Sequence, residues 1–390
     1  MKYSAIAAGV VLSTLGLSGN ANAEDDAFIT ALKDGKPLLN MRLRYEEVDN
    51  DGPTDAEALT LRTRLGWQTG KLHGFDAVGE FEDTRVVGGV DNFAPHQAGY
   101  PVIADPEVTE LNQAFVRYNG SDDLAGLTAT FGRQRIIYDN ARFVGNVGWR
   151  QDEQTFDGLK LDYVVNDFAF SAARLTQVNG ITPIFDANVT NNLFNASWKA
   201  APGGSLTAYG YLLEADRSGA SNDTYGLRYS GAFDMDAVKL LLTLEGASQE
   251  VDAGDTEYYF AELGAEIAGV TVKVAQEVLG SDDGLVAFQT PLATKHAFNG
   301  WADQFLVTPA DGLKDSFVSV GTKLAGFKLA AVYHDFQADE GSSDYGTETN
   351  LLVARPIGKN YVVGLKYADY SADDFGTDTQ KLWAWAELKL

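Results

Sequence analysis

The sequence predicts an all-β protein, a transmembrane antiparallel up-and-down β-barrel of about 18 strands. Three observations predict it. The hydrophobic period beyond residue 36 is two, the connections alternate between short and long, and arginines recur at every second position of otherwise apolar strands.

The chain opens on a different pattern. Lys2 precedes the short apolar run AIAAGVVLSTLGL (5–17), and Ala21-Asn22-Ala23 supplies small residues for cleavage, so residues 1–23 are predicted to be a secretory signal peptide. Cleavage after Ala23 would leave about 367 residues, with 24–36 as a lead-in and 37–390 as the barrel. No later run of about 18 apolar residues predicts a transmembrane helix. The 390 residues include no cysteine, so an exported chain must be stable without disulfides. A formal net charge of −25 argues against nucleic acid as a partner, because phosphate binding needs a basic surface.

The first predicted strand, PLLNMRLRYEE, alternates Leu39, Met41, Leu43 and Tyr45 with Asn40, Arg42, Arg44 and Glu46. The second, LTLRTRLGW, sets Leu59, Leu61, Leu65 and Trp67 against Arg62 and Arg64. Further along, Val238, Leu240, Leu242 and Leu244 share one face, and Tyr259, Ala261, Leu263, Ala265 and Ile267 oppose Tyr258, Phe260, Glu262 and Glu266. Alternation over 8 to 10 residues marks strands with one apolar and one polar face. The final KLWAWAELKL continues it through Leu382, Ala384, Ala386, Leu388 and Leu390, with leucine where such barrels commonly end in an aromatic residue.

Short connections are predicted at 69–74, 119–125, 164–167, 201–204, 231–236, 268–269, 325–326 and 357–360. Longer polar ones are predicted at 49–55, 87–107, 138–152, 179–190, 215–222, 248–255, 280–314, 337–344 and 371–378. Eight short turns alternating with nine longer loops join eighteen strands, which is how a membrane barrel sorts periplasmic turns from outer loops.

The arginines then fix the faces. One Arg on the lipid face near mid-bilayer costs about 2–4 kcal/mol, so two would cost about 4–8 kcal/mol, comparable to a domain's whole stability. Arg42, Arg44, Arg62 and Arg64 are therefore predicted to face the lumen. Arg117, Arg133 and Arg135 extend the set, and ten of the 14 arginines fall between residues 42 and 150, as a basic ladder on one wall. Glu80 with Glu82, and Lys160 with Asp162, supply opposing and additional charge on the polar faces of the third and sixth strands. Such crossed fields orient and select solutes by charge. Placing Arg133 inside also places Phe131 inside, which calls for a bulge or an extramembrane extension in that strand.

At about 35 residues, loop 280–314 is too long for a plain connector and is predicted to fold into the barrel as a constriction. His296, Phe298, Trp301 and Asp303 are its site candidates, with Phe305 helping to pack it down. His296 and Asp303 could also be read as part of a hydrolytic or metal site. No serine nucleophile elbow, HExxH or paired histidine accompanies them, so no catalytic residue, metal or cofactor is predicted. Acidic tips at 46–51, 280–284 and 370–376 could bind divalent cations bridging to lipopolysaccharide, but lack EF-hand spacing.

Two irregular segments, RFVGNVGWRQDEQTFDGLKLDY (142–163) and AFQTPLATKHAFNGWADQFLVTPADGLKD (287–315), resemble the alginate export family of outer-membrane barrels. LNQAFVRY with TFGRQRI, and TYGLRYSG (224–231), extend the resemblance, which spans essentially the mature chain. It implies an 18-stranded monomeric barrel, rather than a trimer, with an arginine-rich conduit for a uronate polymer such as alginate. The expectation is thus a bacterial outer-membrane porin, seated among lipid and lipopolysaccharide, that passively conducts organic acids or oligo- or polyuronates. The alternatives are a general porin without anion preference, an outer-membrane enzyme using its outer loops, and a secreted carbohydrate-binding β-protein.

Overall fold

The structure is a computed structural model that describes residues 21–390, with side chains from Ala27 onward. The predicted signal peptide lies almost wholly outside the described residues. A helix, α1, covers Ala21–Lys33. Eighteen antiparallel strands follow in one sheet. They are β1 (Lys36–Asp49), β2 (Ala56–Gln68), β3 (Phe75–Asn92), β4 (Val108–Asn119), β5 (Leu127–Gln134) and β6 (Thr155–Val165). Next come β7 (Phe168–Asn179), β8 (Ala187–Ala201), β9 (Gly204–Glu214), β10 (Ser221–Met235), β11 (Val238–Val251) and β12 (Gly254–Ile267). The series ends with β13 (Val270–Leu279), β14 (Leu313–Leu324), β15 (Phe327–Gln337), β16 (Asp344–Ile357), β17 (Tyr361–Ala372) and β18 (Thr379–Lys389).

Each strand pairs with its chain neighbours, and β1 pairs with β18 from Asn40↔Lys389 to Asp49↔Gln380, which closes the sheet and removes its edges. The eight short turns all sit at one end. Two are Ala-Gly pairs, 268–269 and 325–326, with both residues at positive φ (51° and 81°, 51° and 82°), as a two-residue turn between right-twisted strands requires. Glycine takes that conformation without the steric cost a side chain would carry.

The loop expected at 248–255 is corrected. β11 and β12 run on to Val251↔Gly254, leaving a two-residue tip. Its polar sequence reflects strands projecting beyond the apolar band, not a loop. Loops 93–107 and 180–186 are likewise shorter than the polar stretches around them.

Side-chain parity follows the period of two. Leu65 is 60% exposed and Trp67 40%, whereas Arg62 and Arg64, on the alternate positions, are 2% and 7% exposed. β1 repeats this, with Leu43 outward and Arg42, Arg44 and Glu46 buried. The interior also holds an aromatic core of inward wall residues and residues from loops 135–154 and 280–312. Phe143 sits 5.1 Å from Tyr209 and 5.2 Å from Tyr258, and Phe305 sits 4.6 Å from Phe336, ring centre to ring centre. Both long loops therefore fold inward.

Candidate functional site

The site is the interior occupied by these two loops. β1 and β2 place Arg42 opposite Arg62, and Asn40 opposite Arg64, so the guanidinium groups converge on one patch of wall. Loop 135–154 lies across that patch. Arg42 donates to Gln151 Oε1 (2.9 Å) and to the carbonyl oxygens of Trp149 (2.7 Å), Gly148 (3.1 Å) and Arg150. Arg44 pairs with Asp105 and Glu46, donates to the Trp149 carbonyl, and lies 5.1 Å over the Trp149 ring. Arg62 reaches Asn40 and Glu387, and Arg64 pairs with Glu82 and Glu153. Gln151 Nε2 in return donates to Thr60 Oγ1 (2.9 Å) and to the Thr60 carbonyl (3.2 Å). The four arginines face inward and clasp the loop.

The neighbouring charges are paired as well. Glu80 accepts from Arg135 (2.6 Å), Asn112 and Gln113 (3.0 Å each), while Glu153 accepts from Arg135 and from Asn112 (2.7 Å). Burial opposes the Glu153 charge, but Arg64 and Arg135 hold its carboxyl down at about 2. Arg117 makes a two-pronged contact with Asp76 (2.8 and 3.2 Å), and Lys160 pairs with Asp162 (2.6 Å).

Arg133 departs from the expectation. It shares a face with Phe131, which is 68% exposed, while Thr130 and Gln134 are the buried residues of β5. Its guanidinium stays on that outer side, bonded to Asp157 (2.8 and 3.1 Å) and the Leu111 carbonyl. Arg135, just past the end of β5, turns inward where the strand has ended.

Loop 280–312 completes the interior. His296 Nδ1 donates to Asp303 (2.6 Å), and Lys366 Nζ donates to His296 Nε2 (2.6 Å). Burial pushes the His296 pKa down to about 3, with Lys366 and Arg150 opposing the pull of Asp303, so the ring is neutral. Asp303 also takes Lys381 (2.9 Å) and Arg150 (3.0 Å). Burial disfavours its charge, but His296, Lys381 and Arg150 hold its carboxyl well below the usual range. The His296 ring stacks on Trp149 at 5.1 Å, and Lys366 lies 3.9 Å over the Trp301 ring. Arg142 joins the two loops and the wall through Glu277 (2.6 Å) and Asn299 (3.0 Å), and lies 4.8 Å over the Phe298 ring. His296 and Asp303 are thus used in fastening one loop to another. No group of three or more metal-binding side chains occurs among the described residues.

Arg142, Arg150, Gln151 and Asp105 were not singled out as site residues from sequence. The usable signal was the unbroken polar run Arg150-Gln151-Asp152-Glu153-Gln154, buried throughout although it belongs to a connection.

Outward of this network the loops enclose a cavity of about 680 Å³. Its walls are mainly apolar, including Val178, Val189, Leu213, Leu292 and Val307, and its polar lining includes Arg150, Glu214, Lys295, His296 and Asp303. The Lys295 ammonium makes no hydrogen bond or ion pair with any described residue. Burial and Arg142 lower its pKa.

The alginate export family profile matches residues 39–259. A search of curated proteins finds no match. Among solved structures the chain resembles OccK9 (OpdG) of Pseudomonas aeruginosa, with a TM-score of 0.71 at 12% identity over 92% of this chain and 100% of that one. It also resembles OpdK of P. aeruginosa, solved with vanillate (TM-score 0.70, 14% identity, 92% and 99% covered). OccAB4 of Acinetobacter baumannii is similar at a TM-score of 0.69 and 13% identity, with 92% and 98% covered. These likenesses are of fold, and the family match spans more than half the chain. The chain belongs to the alginate export family and is an outer-membrane β-barrel of the channel type, not an enzyme.

Proposed function

We propose that this channel passively conducts small organic anions, with residues 1–23 as its export signal. The single observation that carries the reading is Lys295, whose ammonium has no carboxylate partner, on the wall of a mainly apolar cavity where the other charged lining residues are Arg150, Glu214 and Asp303. A mainly apolar pocket with an unpaired ammonium orients an amphiphilic acid, apolar body to the wall and carboxylate to the ammonium. OpdK, of similar fold, was solved with vanillate, an aromatic carboxylate, which makes that class a reasonable probe. Arg42, Arg44, Arg62 and Arg64 contribute indirectly, by holding loop 135–154 in place. A polyuronate conduit is less favoured, since a polymer would need both inward loops displaced.

The test is the reversal potential of the protein in planar bilayers under a salt gradient, with wild type and Lys295→Glu compared. The substitution touches no bond, so the barrel should form normally. Selectivity should shift toward cations, and vanillate should block or permeate less. An unchanged reversal potential would overturn the reading.

A further inference from the structure

The rim of the loop-enclosed cavity is apolar where it meets water. The cavity's deeper lining is buried, through Val178, Val189 and Leu292, and Lys295 is half-buried. At the rim Phe185 is 58% exposed, Leu306 43% and Val307 67%, and all three line the same cavity. Both segments that carry them are tied down. Phe185 ends a single 3-10 turn, Pro183–Phe185, and its amide donates to the Thr182 carbonyl (2.9 Å). Gly180 lets the loop fold this tightly, since a Cβ there would lie 2.5 Å from the Phe185 Cβ, and its amide donates to Asp186 (3.0 Å). Leu306 and Val307 are held from both sides. Phe305 before them packs on Phe336, and Thr308 after them is bonded twice to Gln289. The Thr308 amide donates to Gln289 Oε1 (3.1 Å), and Gln289 Nε2 donates to the Thr308 carbonyl (2.9 Å). Anchored loops that keep apolar side chains out of the core leave that surface in water, where it is available to an apolar ligand.

We propose that Phe185, Leu306 and Val307 form an apolar ledge that holds the tail of a monocarboxylate whose head is on Lys295, so that the channel selects acids with an extended apolar chain. The inference rests on the reading of Lys295 as the partner of the anion. The cavity then offers an ammonium toward its buried side and an apolar ledge toward water. A solute with one charged end and one apolar end matches both. A second carboxylate at the far end would lose its water on the ledge and meet Glu214, an exposed carboxylate lining the same cavity. Diacids of equal length therefore fit poorly, and short monoacids gain nothing from the ledge.

The test is single-channel recording of the full exported protein with butyrate, hexanoate, octanoate and the diacid suberate, each apparent dissociation constant being read from the current blocks. Burying a methylene fully is worth about fourfold in affinity, and a ledge that covers the chain on one side should give about twofold. Octanoate should therefore bind about tenfold or more tighter than butyrate, and suberate no tighter than butyrate. Phe185→Ser/Val307→Ser should flatten the chain-length series and leave butyrate unchanged, whereas Phe185→Leu/Val307→Leu should keep the slope. Heat-modifiable gel migration and wild-type conductance verify that each variant is folded. An octanoate-to-butyrate ratio unchanged in the serine variant would overturn the proposal, as would suberate binding like octanoate. Lys295→Glu should weaken all three monoacids alike. Butyrate binding that ignores Lys295→Glu would overturn the reading of Lys295 instead, so the two failures are separable: butyrate reads the ammonium, and the slope reads the ledge.

Discussion

Replacing Asp303 by alanine should unfasten the inward loop while leaving the barrel standing. Asp303 is buried and joins His296, Lys381 and Arg150 across loop 280–312, β18 and loop 135–154. Arg150 keeps two bonds to Glu46 (3.0 Å each), so Lys381 is the cation left without its carboxylate. Breaking a buried ion pair by removing one partner costs about 3–5 kcal/mol. Most of that cost should fall on loop attachment, because the strand ladder loses no hydrogen bond. At about 1.4 kcal/mol per decade, the population with the loop released should rise by roughly two to three and a half powers of ten. Single-channel recording reads this as more frequent high-conductance dwells, and the freed Lys381 should raise anion selectivity. Adding Lys381→Met removes the orphaned charge and should recover part of the lost attachment, so the two effects should not add. Wild-type dwell statistics in Asp303→Ala, with the barrel intact on gels, would refute the idea that this carboxylate fastens the loop.

Two further outcomes follow from the same geometry. His296 is held down at about 3 in the folded loop, against about 6.5 when released to water, so only the released form takes up a proton between those values. Attachment is therefore complete above about pH 6.5 and weakens by about 1.4 kcal/mol per pH unit as pH falls toward 3. Open dwells should rise on acidification through that window, and His296→Gln should flatten the rise; a wild-type profile level from pH 7 to 4 would count against it. Arg133 and Arg135 should also behave differently despite their spacing. Arg133→Gln loses a pair with Asp157, whose carboxylate is 27% exposed, worth about 1 kcal/mol at most. Arg135→Gln leaves the buried Glu80 and Glu153 short of a partner and should lower thermal stability markedly more. Equal losses in both variants would refute the assignment of Arg133 to the outer face.

The strands were legible because a membrane wall imposes one rule on every residue, apolar outward and polar inward. LTLRTRLGW could be solved on cost alone, since no arrangement of the strand puts Arg62 in lipid at a tolerable energy. The same rule misplaced Arg133 because β5 ends at Gln134, and beyond a strand's end parity no longer connects neighbouring residues. It also overestimated the loop near 248–255, where strands leave the apolar band and polar residues occupy both faces. Partners were not legible at all. Period two says that Arg42 points inward, and nothing in that period says it will meet Gln151, 109 residues away. That meeting changes the meaning of the arginines. A guanidinium bonded on several sides to backbone carbonyls and carboxylates has few donors left for a passing anion. A ladder so engaged acts as masonry for the constriction. In the proposed function, charge selection falls instead to Lys295, a residue on a loop whose irregular sequence carries no period from which its direction could be read.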